Sequence, residues 1–215
     1  MKTTMKIAGA AALMLATSAF AFADTALDSE DAESITLMRE EEKLARDVYL
    51  ALYELWGVPV FDRIADSEQR HMDAVLTLID AYEMEDPAGS PGVFQNEDLQ
   101  GLYDTLVARG SESLVEALRV GALIEEVDIA DLDHALVAGV PDDVAVVYDN
   151  LLNGSESHLR AFVSQIERQG EEYAPEILSQ EQYDAISSEE SAQRGRAAGR
   201  TGHEEGGRRI VGRDR

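Results

Sequence analysis

The sequence predicts an all-α protein built on four long helices, and three observations support this prediction. Apolar residues recur at helical spacing in four segments between about residue 35 and residue 170. No segment shows the sustained alternation of apolar and polar residues that is typical of a β-strand. Two of the connections between the segments are short and one is long, which predicts two antiparallel helical hairpins joined by a crossover.

The first predicted hairpin contains the first two helices. The first helix is predicted at about Ile35–Trp56, with Gly57 as its C-cap. Pro59 opens the second helix, because proline is favoured at the first helical position, and the Asp86-Pro87 loop follows it. A connection of two or three residues requires the two helices to run antiparallel.

The second predicted hairpin follows a crossover of about thirty residues. A short extra helix is expected near Leu99–Val107 within the crossover, with Gly110 ending it. Ser113 and Glu116 have the spacing of a capping box, which starts a third long helix that runs to about residue 137. A turn at 139–142 leads into a fourth helix that ends near residue 170. Two hairpins joined by one long crossover form a ferritin-like four-helix bundle.

The two ends of the chain differ in composition from this helical body. Residues 1–23 have a basic start, an apolar run and an Ala-x-Ala end, which is the pattern of a secretory signal peptide. Residues 24–34 form a short leader, and the helical domain is predicted at 35–186. Residues 187–215 are rich in Gly and Arg, which predicts a disordered tail. We therefore expect an exported protein, periplasmic or extracellular, with no membrane span.

Charge and cysteine content exclude several classes of function. The chain has 43 acidic and 18 basic residues, a formal net charge of −25 and no cysteine. Disulfides and thiolate metal sites are therefore excluded. An acidic protein repels phosphate backbones, so we expect no nucleic-acid partner. The same charge attracts metal ions, although it also serves simply to keep an exported protein in solution.

Helical phase places acids or histidines on the buried face of the second, third and fourth helices, whereas Glu41 and Glu42 flank the apolar stripe of the first helix on opposite sides. The candidates, found at about 100° per residue, are Glu41 and Glu42 on the first helix, Glu68 and His71 on the second, Glu125 and Asp128 on the third, and Ser155 and His158 on the fourth. A buried, unpartnered carboxylate costs several kcal/mol, so this convergence indicates a site for two divalent cations. His134 has an acid at the same spacing but falls on the solvent face, and we assign it no role.

Two of these helices resemble a known family. The Glu42-x6-Tyr49 spacing resembles the first helix of rubrerythrins and bacterioferritins, and Glu68-x-x-His71 resembles their second-helix motif. In those proteins the first-helix Glu is a metal ligand and the Tyr donates a hydrogen bond behind the ligands. The resemblance covers about residues 35–170 and implies that Glu42, rather than Glu41, binds metal. The pattern is similar to an exported branch of ferritin-like di-iron carboxylate proteins.

The fourth helix departs from the family pattern. The family has a second Glu-x-x-His motif there, whereas this chain has Ser155-x-x-His158. Asp128, three residues after the third-helix Glu125, provides an extra inward acid. Our hypothesis is that Asp128 takes the place of the missing ligand. The resulting ligand set is Glu42, Glu68, His71, Glu125, Asp128 and His158, with Tyr49, Ser155 and Glu41 behind it.

The resemblance implies a non-haem di-iron oxidoreductase of ferroxidase or peroxidase type. Carboxylates with two imidazoles suit two iron ions, or manganese, better than copper or zinc. Dioxygen or peroxide would be the co-substrate, and an external electron donor is needed because the chain has no cysteine-ligated iron module. Two alternative functions stay open. One is a protein that sequesters metal without turnover, and the other is a metal-free helical domain whose buried acids pair with Arg46, Arg70 or one another. The formation of a homo-oligomer also stays open.

Overall fold

The structure, a computed structural model, describes residues 27–188 and is all-helical over that range. Its helices are α1 (Ser29–Trp56), α2 (Pro59–Ala81), α3 (Glu97–Gly110), α4 (Leu114–Ala138), α5 (Asp142–Arg168) and α6 (180–188). The predicted all-α class is confirmed. The predicted signal peptide at 1–23 and the part of the predicted tail from 189 onward lie outside the described residues. No helix of the described range is both long and apolar enough to cross a bilayer.

Most helix boundaries follow from the residues that cap them. Gly57 ends α1 with a φ of 65°, in the left-handed region that glycine adopts without a steric penalty. Pro59 is the first residue of α2, and Ser113 accepts the backbone N–H of Glu116 at the start of α4. Helix α1 begins earlier than predicted because the side chain of Asp28 caps it. Part of the predicted leader at 24–34 is therefore helical.

Contacts between helices define their directions in the bundle. Tyr49, in the second half of α1, bonds to α4 near its start at Gly121, so α1 and α4 run antiparallel. Glu68, in the first half of α2, meets α5 at His158, in its second half, so these two helices are also antiparallel. Since each hairpin is antiparallel, α2 and α4 run in the same direction. The crossover that contains α3 therefore brings the chain from the end of α2 back to the opposite end of the bundle, where α4 begins.

Two apolar clusters pack the bundle, and a polar layer lies between them. On α1 the first cluster takes residues from position 44 onward, and the second takes Ile35 and Met38. On α5 the second cluster ends at Leu151 and the first begins at Leu159. The predicted site residues of these helices other than Tyr49 fall between the two clusters, namely Glu41, Glu42, Ser155 and His158. The bundle thereby holds its ionisable side chains in a layer that is closed by apolar packing above and below.

A second set of buried charges fixes the crossover to α1. Lys43 is fully buried, lies 2.6 Å from Asp47 and stacks 4.0 Å from the ring centroid of Phe94. Asp47 also accepts the backbone N–H of Gly92 at 2.8 Å. Glu40 accepts the backbone N–H of residue 95 at 2.6 Å. These bonds hold the crossover against the part of α1 that carries Glu41 and Glu42.

Candidate metal centre

Four helices bring carboxylates and imidazoles together in the polar layer. One group consists of Glu42 from α1 with Glu68 and His71 from α2, and the other of Glu68 with Glu125 from α4 and His158 from α5. In each group, one ligand atom from every residue lies within 4.8 Å of the others. Glu68 belongs to both groups. The cluster therefore has the form of two adjacent three-residue sites that share one carboxylate.

The two oxygens of Glu68 point to different imidazoles. Its Oε2 lies 2.7 Å from Nδ1 of His71, and its Oε1 lies 2.7 Å from Nδ1 of His158. Each histidine also meets a second carboxylate, His71 at 3.1 Å from Glu42 and His158 at 3.4 Å from Glu125. The two rings stack with their centroids 5.4 Å apart. Glu68 thus occupies the middle of the cluster, with one imidazole on each side.

Several of these atoms lack a hydrogen bond although they are buried. Both oxygens of Glu68, Oε1 of Glu42, Oε2 of Glu125 and Nδ1 of His158 have no partner in hydrogen-bond geometry. Four of these five atoms lie within 3.4 Å of an ion-pair partner, and Oε1 of Glu42 has none. A buried polar atom without any partner costs about 1–3 kcal/mol. Ligand atoms that bind one cation at about 2.1 Å and at right angles lie roughly 3 Å apart, close to the separations found here. The residues present therefore fit a pair of small divalent cations.

Arginine and lysine do not neutralise these acids within the described part of the chain. Arg46 binds Asp47 and Gln69, and Arg70 is exposed to solvent. The buried Lys43 is engaged with Asp47. Within the described residues, the acids of the two groups form ion pairs only with histidines. Over the same described range, the pairing with Arg46 or Arg70 that the sequence left open is absent, whereas the pairing of the buried acids and histidines with one another is present.

Burial and mutual repulsion shift the ionisation of the whole cluster. Burial opposes the charged form of the imidazoles, but the adjacent carboxylates outweigh it and raise the pKa of His71 to about 10 and of His158 to about 11. Burial raises the pKa of Glu42 and of Glu125. Burial has the same effect on Glu68, but the two histidines beside it lower its pKa below the usual range. Without another cation, the positive charge of this layer comes from imidazolium.

Comparison with known proteins places the chain in a family. Residues 31–190 match the family described as "Uncharacterized protein domain (DUF2202)". The chain belongs to the DUF2202 family. It is 47% identical over 171 residues to the uncharacterized protein MJ0754 of Methanocaldococcus jannaschii, an alignment that covers 79% of this chain and 92% of that protein.

A solved relative has a similar overall fold. The crystal structure of hypothetical protein MJ0754 from Methanococcus jannaschii DSM 2661 matches with a TM-score of 0.74 at 47% identity. The match covers 75% of this chain and 94% of the crystallised chain. This likeness supports the helical fold described above.

The remaining predicted site residues surround the two groups. Tyr49 is fully buried and donates a 2.6 Å hydrogen bond to Oε1 of Glu125. Glu41 and Asp128 are both buried but belong to neither group, and burial raises the pKa of Glu41 to about 7. Burial, followed by the charges of Glu42 and other nearby acids, raises the pKa of Asp128 well above its usual range. His134 is exposed, as predicted from its helical phase.

Two small residues of α5 make room at the centre, and one of them was not predicted. Ser155 is buried, and its hydroxyl has no partner. Gly154 faces α2, where an added Cβ would lie only 2.5 Å from Nε2 of His71. A glycine inside a helix costs about 1 kcal/mol relative to alanine, so its position in the fourth predicted helix was a usable signal of close contact. Gly154 allows the His71 ring to lie against the backbone of α5.

Glu126 is a further buried acid that helical phase did not single out. It follows Glu125 but points away from the two groups, toward residues 173–178. There it accepts a 2.6 Å hydrogen bond from the Tyr173 hydroxyl and bonds from three consecutive backbone N–H groups. Glu126 therefore has a structural role, because its charge is satisfied by hydrogen bonds alone.

Proposed function

We propose that the described domain is a ferritin-like bundle that binds two divalent transition-metal cations, and that it acts as a non-haem di-iron oxidoreductase of ferroxidase or peroxidase type. The observation that carries the proposal is the shared position of Glu68, whose two buried oxygens each face a histidine outside hydrogen-bond geometry. Manganese is the alternative metal.

The helix directions support the ferritin-like part of the proposal. Ferritin-like bundles consist of two antiparallel hairpins joined by one long crossover. Here α2 and α4 run in the same direction, and the crossover between them contains α3. Ligands come from all four long helices and meet near the middle of the bundle, where such proteins hold their metals.

Each residue of the centre has a distinct part in this proposal. Glu42 and His71 would hold one cation, Glu125 and His158 the other, and Glu68 would contact both. Tyr49 fixes Glu125 by its hydrogen bond, and the apolar clusters on either side limit water. A pair of iron ions, once bound, would supply one-electron redox chemistry toward dioxygen or peroxide. The absence of cysteine means that electrons for a reductive cycle come from a separate donor.

The location of the protein belongs to the same proposal. The basic start, apolar run and Ala-x-Ala end of residues 1–23 support export to the periplasm or the cell exterior.

A second candidate is a protein that binds metal ions without turnover. The net charge of −25 favours it, because a strongly acidic protein concentrates cations whether or not it performs a reaction. Both candidates use the same ligands, and they differ only in whether the bound metal reacts with oxygen.

Iron titration followed by oxygen measurement tests the proposal. Metal-free protein is titrated with Fe²⁺ under argon, bound iron is counted by elemental analysis, and an oxygen electrode records uptake after air is admitted. We expect two iron ions per chain and oxygen consumption that scales with iron. Two bound ions without oxygen uptake would establish the sequestering alternative, and no bound iron would refute both.

Substitution of the shared carboxylate localises the binding. Glu68→Gln removes the charge that both groups use, so we expect binding at both positions to weaken at least tenfold. Asp66→Asn is the matched control, because Asp66 is an exposed acid on the same helix. Equal iron binding by the two variants would show that the ions bind elsewhere.

A further inference from the structure

A cavity of about 480 Å³ lies between the N-terminal half of α1 and the C-terminal half of α4. From α1 it is lined by residues that include Glu30, Glu33 and Glu41, and from α4 by Asp131 and His134. These side chains do not belong to the two groups of the candidate metal centre. The cavity therefore begins at the surface and shares the buried Glu41 with the polar layer, but none of the residues of the two groups.

The charge of this cavity has one sign. Of the described residues that line it, none is a lysine or an arginine. Acidic side chains line the cavity from both α1 and α4, so their negative electrostatic potentials add within it. A cleft lined by charges of one sign raises the local concentration of counter-ions and accelerates their association. The expected occupants are small cations.

The side chain of Glu41 gives a second, independent indication that this cavity binds a cation. It lines the cavity, but its residue is only 9% exposed and its Oε2 has no hydrogen-bond partner. An isolated buried carboxylate oxygen costs free energy unless a cation or donor reaches it. Glu41 is also the neighbour in sequence of Glu42, which belongs to the first ligand group. Glu41 therefore lines the cavity from a backbone position directly next to a residue of the first ligand group.

A line of carboxylates continues from the cavity to the centre. Asp131, at the exposed end, lies close enough to Glu41 for their charges to interact. The buried Asp128 is also close enough for its charge to interact with those of Glu41 and Glu42. Oδ2 of Asp128 also lacks a partner. Each step between these acids brings a cation nearer to the ligands.

We propose that this acidic cavity is the route by which divalent cations reach the buried centre, and that Glu41 is the ligand that passes them inward. The inference rests on the proposed function, since it assumes that the centre binds cations. It adds a site that the centre alone does not contain, with oxygen ligands for a transient divalent ion. Asp131 would collect the cation at the surface, and Asp128 would receive it after Glu41.

Loading kinetics test the route separately from the centre. Metal-free protein is mixed with Co²⁺ in a stopped-flow instrument, and the absorbance of bound Co²⁺ gives the rate of loading. Glu41→Gln should slow loading roughly tenfold and Asp131→Asn severalfold, within the range of electrostatic steering. Both variants should still bind two ions per chain at equilibrium. Glu54→Gln, an exposed acid at the far end of α1, should load like the wild type.

Slow loading of both variants with two ions bound at equilibrium would support the route, and slow loading of only one variant would limit the route to that residue. Wild-type loading rates in both Glu41→Gln and Asp131→Asn would overturn the route and leave the centre intact. Loss of one ion at equilibrium in Glu41→Gln, with normal loading of Asp131→Asn, would make Glu41 a permanent ligand and also overturn it. A wild-type protein that binds no Co²⁺ would refute the centre itself, and the route with it. Because Asp131 is exposed, its variant tests the route even if Glu41→Gln fails to fold.

Discussion

At the scale of single residues, the carboxylates of the centre differ in the partners that surround them. Glu68 faces two imidazoles, while Glu42 and Glu125 face one each. Asp128 has no ion pair, and one of its oxygens lacks any partner. Its neighbours are acids, whose charges repel an ionised carboxylate at this position. Asp128 lies outside the two ligand groups and is the least stabilised of these carboxylates in its charged form.

Substitution of Asp128 by asparagine separates folding from metal binding. Asn has the same shape but no charge, so it removes the repulsion and leaves the packing unchanged. We expect Asp128→Asn to leave the urea midpoint of the metal-free protein unchanged or higher. If Asp128 takes the place of the ligand that Ser155 lacks, the variant should bind one iron ion per chain instead of two. Elemental analysis after dialysis gives the count.

The matched control for this prediction is Asp133→Asn on the same helix. Asp133 lies outside both ligand groups, so its variant should retain two ions. Two tightly bound ions in Asp128→Asn would contradict the hypothesis and leave three carboxylates and two histidines as the ligand set.

Single residues also show how far sequence could predict this site. Glu68, His71, Glu125 and His158 were found because a charged side chain amid apolar residues at helical spacing is a strong signal of burial. Glu41 and Glu42 could not be separated by phase, since both flank the stripe and both are buried. The Glu42-x6-Tyr49 resemblance favours Glu42, and contacts between helices bring Glu42 but not Glu41 into a ligand group. Sequence periodicity contains neither piece of information.

At the scale of elements, one buried acid holds the segment that follows α5. Residues 171–179, here called the C-terminal strap, run past α4 before α6 begins. Glu126 accepts hydrogen bonds from Tyr173 and from three consecutive backbone N–H groups of the strap. Bonds to a charged acceptor are worth more than neutral ones, at about 1.5–3 kcal/mol each. Glu126 therefore fixes the strap to the helix that carries Glu125.

Removal of this acceptor should destabilise the strap and spare the centre. We expect Glu126→Ala to lower the free energy of unfolding by about 2–4 kcal/mol, because it leaves several donors without an acceptor. Amide hydrogen exchange at residues 176–178 should accelerate, which mass spectrometry can detect. Metal stoichiometry should stay at two ions, since Glu126 points away from both groups.

The strap control is Glu172→Gln, an exposed acid on the same segment. Its unfolding curve and exchange rates should match the wild type. An equally stable Glu126→Ala variant would show that packing of Leu178 alone holds the strap.

Helix ends were predicted best where interactions between residues close in sequence determine them. The ends marked by Gly57, Pro59 and Ser113 were correct because capping is a local interaction. The buried pair of Lys43 and Asp47 was not predicted, although its i,i+4 spacing was visible. Such a spacing is common on exposed helix faces, and only the crossover packing over Phe94 makes this pair buried.

At the scale of the whole molecule, repulsion among the many negative charges opposes folding, and the binding of cations reduces that repulsion. The chain has a net charge of −25, and several of its acids are buried in one layer. Repulsion among like charges destabilises a compact state. Divalent cations relieve it in two ways, by screening at the surface and by binding in the polar layer. Only the second depends on the identity of the cation.

Thermal unfolding should therefore distinguish a binding cation from a screening one. At a free Mn²⁺ concentration of about one hundred times Kd, each site adds about 2.7 kcal/mol, so two sites add roughly 5 kcal/mol. For a domain of this size, 1 kcal/mol raises Tm by about 2–4 °C, which predicts a rise of roughly 10–20 °C. Mg²⁺ prefers oxygen ligands and keeps its water, so it should screen the surface but bind poorly beside two imidazoles. Scanning calorimetry at equal ionic strength should show a large shift in Tm with Mn²⁺ and a small one with Mg²⁺.

The Glu68→Gln variant is the control for this prediction. In this variant the two cations should give the same small shift in Tm, because both act there by screening alone. Equal shifts in the wild type would mean that surface charge, and not the buried layer, accounts for the effect of cations on stability.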